Sequence, residues 1–183
     1  MAGRRFGGER LTTELPPDPI NPYGLSKLAI ERAGVAFAEA GDFAFVALRI
    51  GMVLADERGA ADRLGTLRRW SQEMWLAGAD FCRGIEQALF APISDPCVVN
   101  LVSDNPGSRW DLCEARRRIG YEPAEGRAAE VTPERDAAEA AFAQLDRCRA
   151  EAVARLTGGS KTSPAEALAA CRSHLSEPGD DTR

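Results

Sequence analysis

Tyr23 and Lys27 stand four residues apart in the run NPYGLSK, residues 21–27. Residues at that spacing share a helix face, so both side chains can project into one cleft. A free tyrosine ionises at about pH 10, too high for acid–base work at neutral pH. An ammonium beside a phenol favours the phenolate. Such a pair can therefore move a proton on or off a sugar or alcohol oxygen, and the lysine can also hydrogen-bond a cofactor ribose. The same tetrad also arises by chance, and its plain reading is a capped helix start with a solvated lysine. Other reactive side chains are sparse. The five cysteines (Cys82, Cys97, Cys113, Cys148, Cys171) are scattered and form no C-x-x-C pair, and the one histidine, His174, sits in a polar tail. Free thiols and no metal site are expected, with a reducing, cytoplasmic setting.

The pair needs a helix to hold it. Before residue 20 the chain reads as loop, since LPPDPINP carries four prolines and proline breaks both ladders and helices. Asn21 is a suitable N-cap and Pro22 suits the first helical position. Apolar residues then follow helical spacing from Leu25 to Phe37, and Gly41 marks the stop. The run FAFVALRI, residues 43–50, is short and apolar throughout, which predicts a strand buried on both faces as parallel strands are. Residues 55–65 read as a loop leading into a helix around residues 67–74. GADFCRGIEQALFAP predicts another helix, PCVVNLVS a second strand, and residues 111–118 a short helix ending at Gly120, followed by a GYEP turn. After Gly126 the composition shifts to alanine and charge. Thr132-Pro133 opens a predicted helix to Leu156, and Ser163 to Glu166 caps a last short one before a polar, partly disordered end.

Composition narrows the function classes. The 183 residues are 44% hydrophobic and 28% charged, with a net charge of −5. No basic stripe with interleaved aromatics is present, and Arg116-Arg117-Arg118 reads as a solvated face, so nucleic acid is not an expected partner. The opening MAGRRFGGER has no apolar core of a signal peptide. The most apolar stretch, FAFVALRIGMVL, is too short to span a bilayer and carries Arg49, so a membrane is not expected either.

Four segments in order resemble the NAD-dependent epimerase/dehydratase family, the extended short-chain dehydrogenases. They are PPDPINPYGLSKLAIERAG, VALRIGMVL, WLAGADFCRGIEQAL and VNLVSDNPGSRWDLCEARRRIGYEP. The last is similar to the family's branch of uronate-dehydrogenase-like sugar oxidoreductases. The resemblance covers about residues 8–126. It implies an α/β fold: the C-terminal half of a Rossmann-type doubly wound parallel sheet, with an extra helical tail over residues 127–183. It also implies that Tyr23 is the catalytic tyrosine and Lys27 the lysine that holds the cofactor ribose. Ile50 and Gly51 would pass beside the nicotinamide of NAD or NADP, and Gly120, Tyr121 and Pro123 match a structural turn. Arg63, with Arg58 behind it, corresponds to a branch arginine that grips the sugar carboxylate. The small-molecule substrate implied is a sugar or nucleotide-sugar, and the helix carrying Tyr23 packs at a homodimer interface in the family. Three positions depart from the branch: Met52 stands where a substrate-holding serine is usual, and Ala77 and Ala79 replace a serine and a basic residue.

Dinucleotide binding in such folds rests on a glycine-rich turn between a first strand and a helix, which cradles the pyrophosphate. GRRFGG, residues 3–8, has glycines but neither the strand before nor the helix after. Residues 1–126 are therefore expected to be a partial domain lacking the glycine-rich N-terminal half, inactive in isolation. NAD(P) binding is expected only with that half supplied, by a longer form of the enzyme or by another chain. The alternative expectation is a non-catalytic, degenerate Rossmann-like binding or interaction protein.

Overall fold

In the computed structural model, residues 8–19, 21–41, 43–54 and 60–156 are described. The chain divides into two compact units, Met1–Asp136 and Ala137–Arg183. Helix α1 (Pro22–Gly41) leads into strand β1 (Val46–Ile50), followed by α2 (Ala60–Thr66), α3 (Arg69–Glu73) and α4 (Gly78–Phe90). Strand β2 (Cys97–Leu101), α5 (Cys113–Ile119) and α6 (Pro133–Leu156) complete the order. The described residues of the second unit, up to Leu156, all belong to α6. The predicted helix after Ser163 lies outside the described residues.

The fold is α/β, and its two strands are parallel, with Val46 opposite Cys97 and Ile50 opposite Leu101. Parallel neighbours need a long crossover, and α2, α3 and α4 make it. β2 is the centre of the first unit: Val99 and Leu101 are buried with Leu11, Leu76, Leu112 and Tyr121 in one apolar cluster. α4 approaches it closely because Gly84 has no side chain to meet Leu101. The loop before α1 is tied down where Leu11 donates to the Arg109 carbonyl (2.7 Å) and accepts from Asp111 N–H (3.2 Å). Asn100 on β2 donates to the carbonyls of Leu11 (2.8 Å) and Asp111 (3.0 Å), which closes the same seam.

A single carboxylate fixes the far end of β2. Asp80, in the first turn of α4, is fully buried. It accepts from Ser103 Oγ (2.7 Å), Arg83 Nη1 (2.6 Å), Ala124 N–H (2.8 Å) and Glu125 N–H (3.1 Å). Helix, strand end and the segment after α5 thus meet at one residue.

Three sequence-based expectations differ from the structure. Residues 60–66 form helix α2, because Leu64 is buried against Trp75 and Ala77 and tertiary packing outweighs the local charge. β1 begins at Val46 and is half-buried, with Ile50 exposed, so an apolar run did not secure cover on both faces. The GYEP turn is confined to Gly120 (φ 67°), which ends α5; residues 121–123 are irregular, and Tyr121 is buried with its hydroxyl donating to the Val102 carbonyl (3.0 Å).

Candidate active site

The cap foreseen for α1 is made: Gly24 N–H donates to Asn21 Oδ1 at 2.8 Å. One helical turn then separates Tyr23 from Lys27, and the Lys27 ammonium lies 5.1 Å from the centroid of the Tyr23 ring, within reach of a cation–π attraction. Tyr23 is 70% exposed. Both side chains line an open cleft of about 640 Å³, together with Arg49 and Ile50 from β1 and Trp70, Met74 and Trp110 from across the strand. That volume lies in the range of small-ligand sites, as does a mostly apolar wall with a few polar groups.

The cleft has a stiff side. Trp70 and Trp110 pack with ring centroids 5.5 Å apart, and the Arg109 guanidinium stacks 5.5 Å from the Trp70 ring. Arg109 is itself held by Glu73, which is buried and accepts from Nε (2.9 Å) and Nη2 (2.8 Å). On the other side, Arg49 donates to Glu31 of α1 through Nε (3.1 Å) and Nη2 (2.8 Å). Both side chains are largely buried, at 14% and 17% exposure. Gly51 follows at the end of β1. Its N–H donates to the Leu101 carbonyl (2.8 Å), and a Cβ there would collide with the Met74 carbonyl and Val102.

Tyr23, Lys27 and Ile50 therefore share one cleft, whereas Gly51, next along the chain, is not among the residues that line it. Arg63 does not line it; it is exposed in the last turn of α2, where its carbonyl accepts from Thr66 Oγ1 (2.6 Å). Arg58 lies outside the described residues. Met52 is engaged through its backbone, donating to the Met74 carbonyl (2.7 Å) and accepting from Leu76 N–H (2.9 Å). Ala77 and Ala79 line a different, smaller cavity of about 220 Å³ beside Leu54 and Trp75. Sequence reasoning missed Glu31, Trp70 and Trp110. Glu31 had a signal, because it continues the four-residue spacing of Tyr23 and Lys27; the tryptophans had none.

Residues 1–75 match the family model described as NAD dependent epimerase/dehydratase. L-arabinose 1-dehydrogenase (NAD(P)(+)) from Haloferax volcanii is 37% identical over 119 residues, covering 63% of this chain and 47% of that protein. The crystal structure of glucuronic acid dehydrogenase from Chromohalobacter salexigens is similar at 28% identity and a TM-score of 0.52, over 64% of this chain and 41% of that one. Uronate dehydrogenase from Agrobacterium tumefaciens shares the fold, with a TM-score of 0.54 at 24% identity over the same shares of the two chains. The chain thus spans less than half the length of these relatives.

Proposed function

From the premise that this chain belongs to the NAD-dependent epimerase/dehydratase family, we propose that it carries the proton-transfer half of a sugar or nucleotide-sugar oxidoreductase. The observation that supports this reading most is that Tyr23 and Lys27 share one cleft beside the C-terminal end of β1. In open α/β sheets, ligands bind at the carboxyl ends of strands.

Tyr23 Oη, as phenolate, takes the proton of the sugar hydroxyl in oxidation and, as phenol, returns it in the reverse reaction. Lys27 supplies a positive charge 5.1 Å from the Tyr23 ring centroid and a donor for a ribose hydroxyl. The chemistry that NAD or NADP would supply here is a hydride acceptor for the sugar carbon whose hydroxyl Tyr23 deprotonates. The exposed, polar Tyr23–Lys27 face and the closely packed turn at Ile50–Gly51 fit the ribose and nicotinamide end of such a group. The phosphate end has no counterpart in the sequence, which contains no G-x-G-x-x-G run. The isolated chain is accordingly inactive in this proposal. Arg63, away from the cleft lining, has no part in the proton transfer. The exposed Leu25, Ile30 and Phe37 of α1 support the pairing of two copies through that helix. A second reading, a non-catalytic interaction protein, draws on Met52, Ala77 and Ala79, where groups usual for sugar binding are replaced.

The test is a chimera in which residues 8–126 replace the matched segment of the Haloferax L-arabinose dehydrogenase. Cofactor reduction is followed by absorbance with L-arabinose, glucuronate and glucose as substrates. Turnover by the chimera and none by the isolated chain is expected, and Tyr23→Phe should lower kcat about 10²- to 10⁴-fold with cofactor affinity nearly unchanged. Equal turnover of the two chimeras removes Tyr23 from the mechanism. A folded chimera that binds NAD and oxidises nothing moves the assignment to the second reading.

A further inference from the structure

We infer that Glu31, through its ion pair with Arg49, is the positioning residue that sets where Tyr23 and Lys27 stand relative to the end of β1. The inference rests on the proposed role of the Tyr23–Lys27 pair.

Helix α1 is poorly anchored by apolar burial. Of its residues only Ala38 is fully buried, while Tyr23, Leu25, Ile30 and Phe37 are exposed. Beside half-buried Leu28 and Val35, two side-chain contacts with β1 and the residue before it hold the helix. The Phe45 ring lies directly on Gly34, where a Cβ would collide with it. Arg49 makes its two-pronged contact with Glu31. Phe45 and Arg49 are separated by four residues of extended chain, so they point to the same face of the strand. The partners on α1 run in the opposite sense, Gly34 then Glu31, so the helix continues N-terminally from the ion pair towards Lys27 and Tyr23 at the cleft.

Glu31 is thus the last fixed point before the working residues. Tyr23 lies eight residues beyond it, about 12 Å along the axis at 1.5 Å per residue. From the Gly34–Phe45 contact the lever to Tyr23 is about 16 Å, so a swing of about 3.5° moves Tyr23 by about 1 Å, and an offset of that size can cost about 100-fold in rate. The pair is also suited to fixing an angle as well as a distance. A side-on guanidinium–carboxylate contact is two-pronged and planar, and Glu31 accepts through both of its oxygens. Arg49 Nη1 is buried with no hydrogen-bond partner, so Glu31 takes both bonds that this guanidinium makes among the described residues. Glu31, Lys27 and Tyr23 lie at intervals of four on one helix face, so an error at the first is transmitted directly to the other two.

The experiment measures helix placement and turnover separately. Cysteine-independent spin labels at exposed Leu25 on α1 and exposed Leu89 on α4 report the placement of the helix in the full chain by pulsed electron paramagnetic resonance. Glu31→Ala should shift or broaden the distance distribution by about 1 Å or more, Glu31→Gln less, and the exchanged pair Glu31→Arg with Arg49→Glu should restore it. In the chimera described above, Glu31→Ala should lower kcat about 100-fold with KM changed less than about 3-fold, and the exchanged pair should recover most of the loss. A pair serving stability alone would lower Tm and leave both the distance and kcat where they were, which overturns the inference. An unmoved helix in Glu31→Ala overturns it as well, and so does a displaced helix with full kcat. Failure of the underlying reading is distinguishable, because Tyr23→Phe would then leave the chimera's turnover intact whatever Glu31→Ala does to the helix.

Discussion

Removing the Asp80 carboxylate tests whether one buried group joins three parts of the first unit. In Asp80→Ala the Ser103 hydroxyl and the N–H groups of Ala124 and Glu125 lose their acceptor together. Arg83, whose side chain is 37% exposed, turns to water at little cost. A buried donor left unsatisfied costs about 1–3 kcal/mol. The two backbone donors are only part-buried and recover some of this from solvent, so we take the low end for each, giving a loss of about 3–5 kcal/mol. Against a typical total of about 5–15 kcal/mol, such a loss would leave the unit close to unfolding. Asp80→Asn keeps one acceptor oxygen but turns an amide NH2 towards the remaining donors, and about half the loss is expected. Urea unfolding followed by tryptophan fluorescence reads the change as a shift in midpoint at constant slope. A cost for Asp80→Ala below about 1 kcal/mol at unchanged slope would refute the reasoning, because the four contacts would then be geometric neighbours without energetic consequence.

Two further outcomes follow from residues packed against the end of β2. Burial, and secondarily the Asp80 carboxylate, push the Tyr121 phenol above its ordinary range. The neutral form is therefore favoured in the fold: its stabilisation is complete below the unfolded value of about 10 and is lost as pH rises beyond it. Tyr121→Phe should cost about 1–2 kcal/mol at pH 7 through the bond to the Val102 carbonyl, and it should flatten the fall in Tm above pH 10; an unchanged alkaline slope counts against the assignment. Gly51→Ala forces a methyl against the Met74 carbonyl, a backbone atom with no freedom to turn away. A loss of about 2–3 kcal/mol is expected in urea unfolding, and a loss under about 0.5 kcal/mol would mean that the strand end gives way easily.

What the sequence disclosed about this fold was local in origin. The start of α1 was legible because Asn21 and Pro22 carry the cap within three residues of the bond they make. Pro133 likewise opens α6 as foreseen from the Thr132-Pro133 signal. Tyr23 and Lys27 came forward because one helical turn brings them together without help from the rest of the chain. The other wall of the cleft had no such signal. Glu73 and Arg109 are separated by 36 positions in the sequence, and nothing near either residue says that a buried pair and a stacked tryptophan will result. The same holds for Asp80, whose backbone donors stand 44 and 45 residues further on. Burial of β1 misled for a related reason: an apolar run states what a strand can bury, and the neighbours decide what it does bury.

The two walls of the cleft also differ in how they are held, and this bears on which of them can move. Trp70 and Trp110 belong to a wall where the charge of Arg109 is paired by Glu73 and where both aromatic rings pack against the β2 cluster. Shifting that wall would break a buried ion pair and open the core together. Helix α1 is attached through the Phe45 ring on Gly34, the Glu31–Arg49 ion pair and a thin apolar face of Leu28, Val35 and Ala38, with most of its other apolar side chains in solvent. Local openings in proteins are drawn from elements with few buried apolar contacts. The angle of α1 over the strand end is thus the coordinate of this site with the least buried apolar contact to resist a change. Tyr23 and Lys27 keep their mutual spacing through any such motion, because one helical turn sets it, while their distance to Ile50 and Gly51 does not. The geometry within the pair is a property of the local sequence; the geometry between the pair and the strand depends on contacts across the fold.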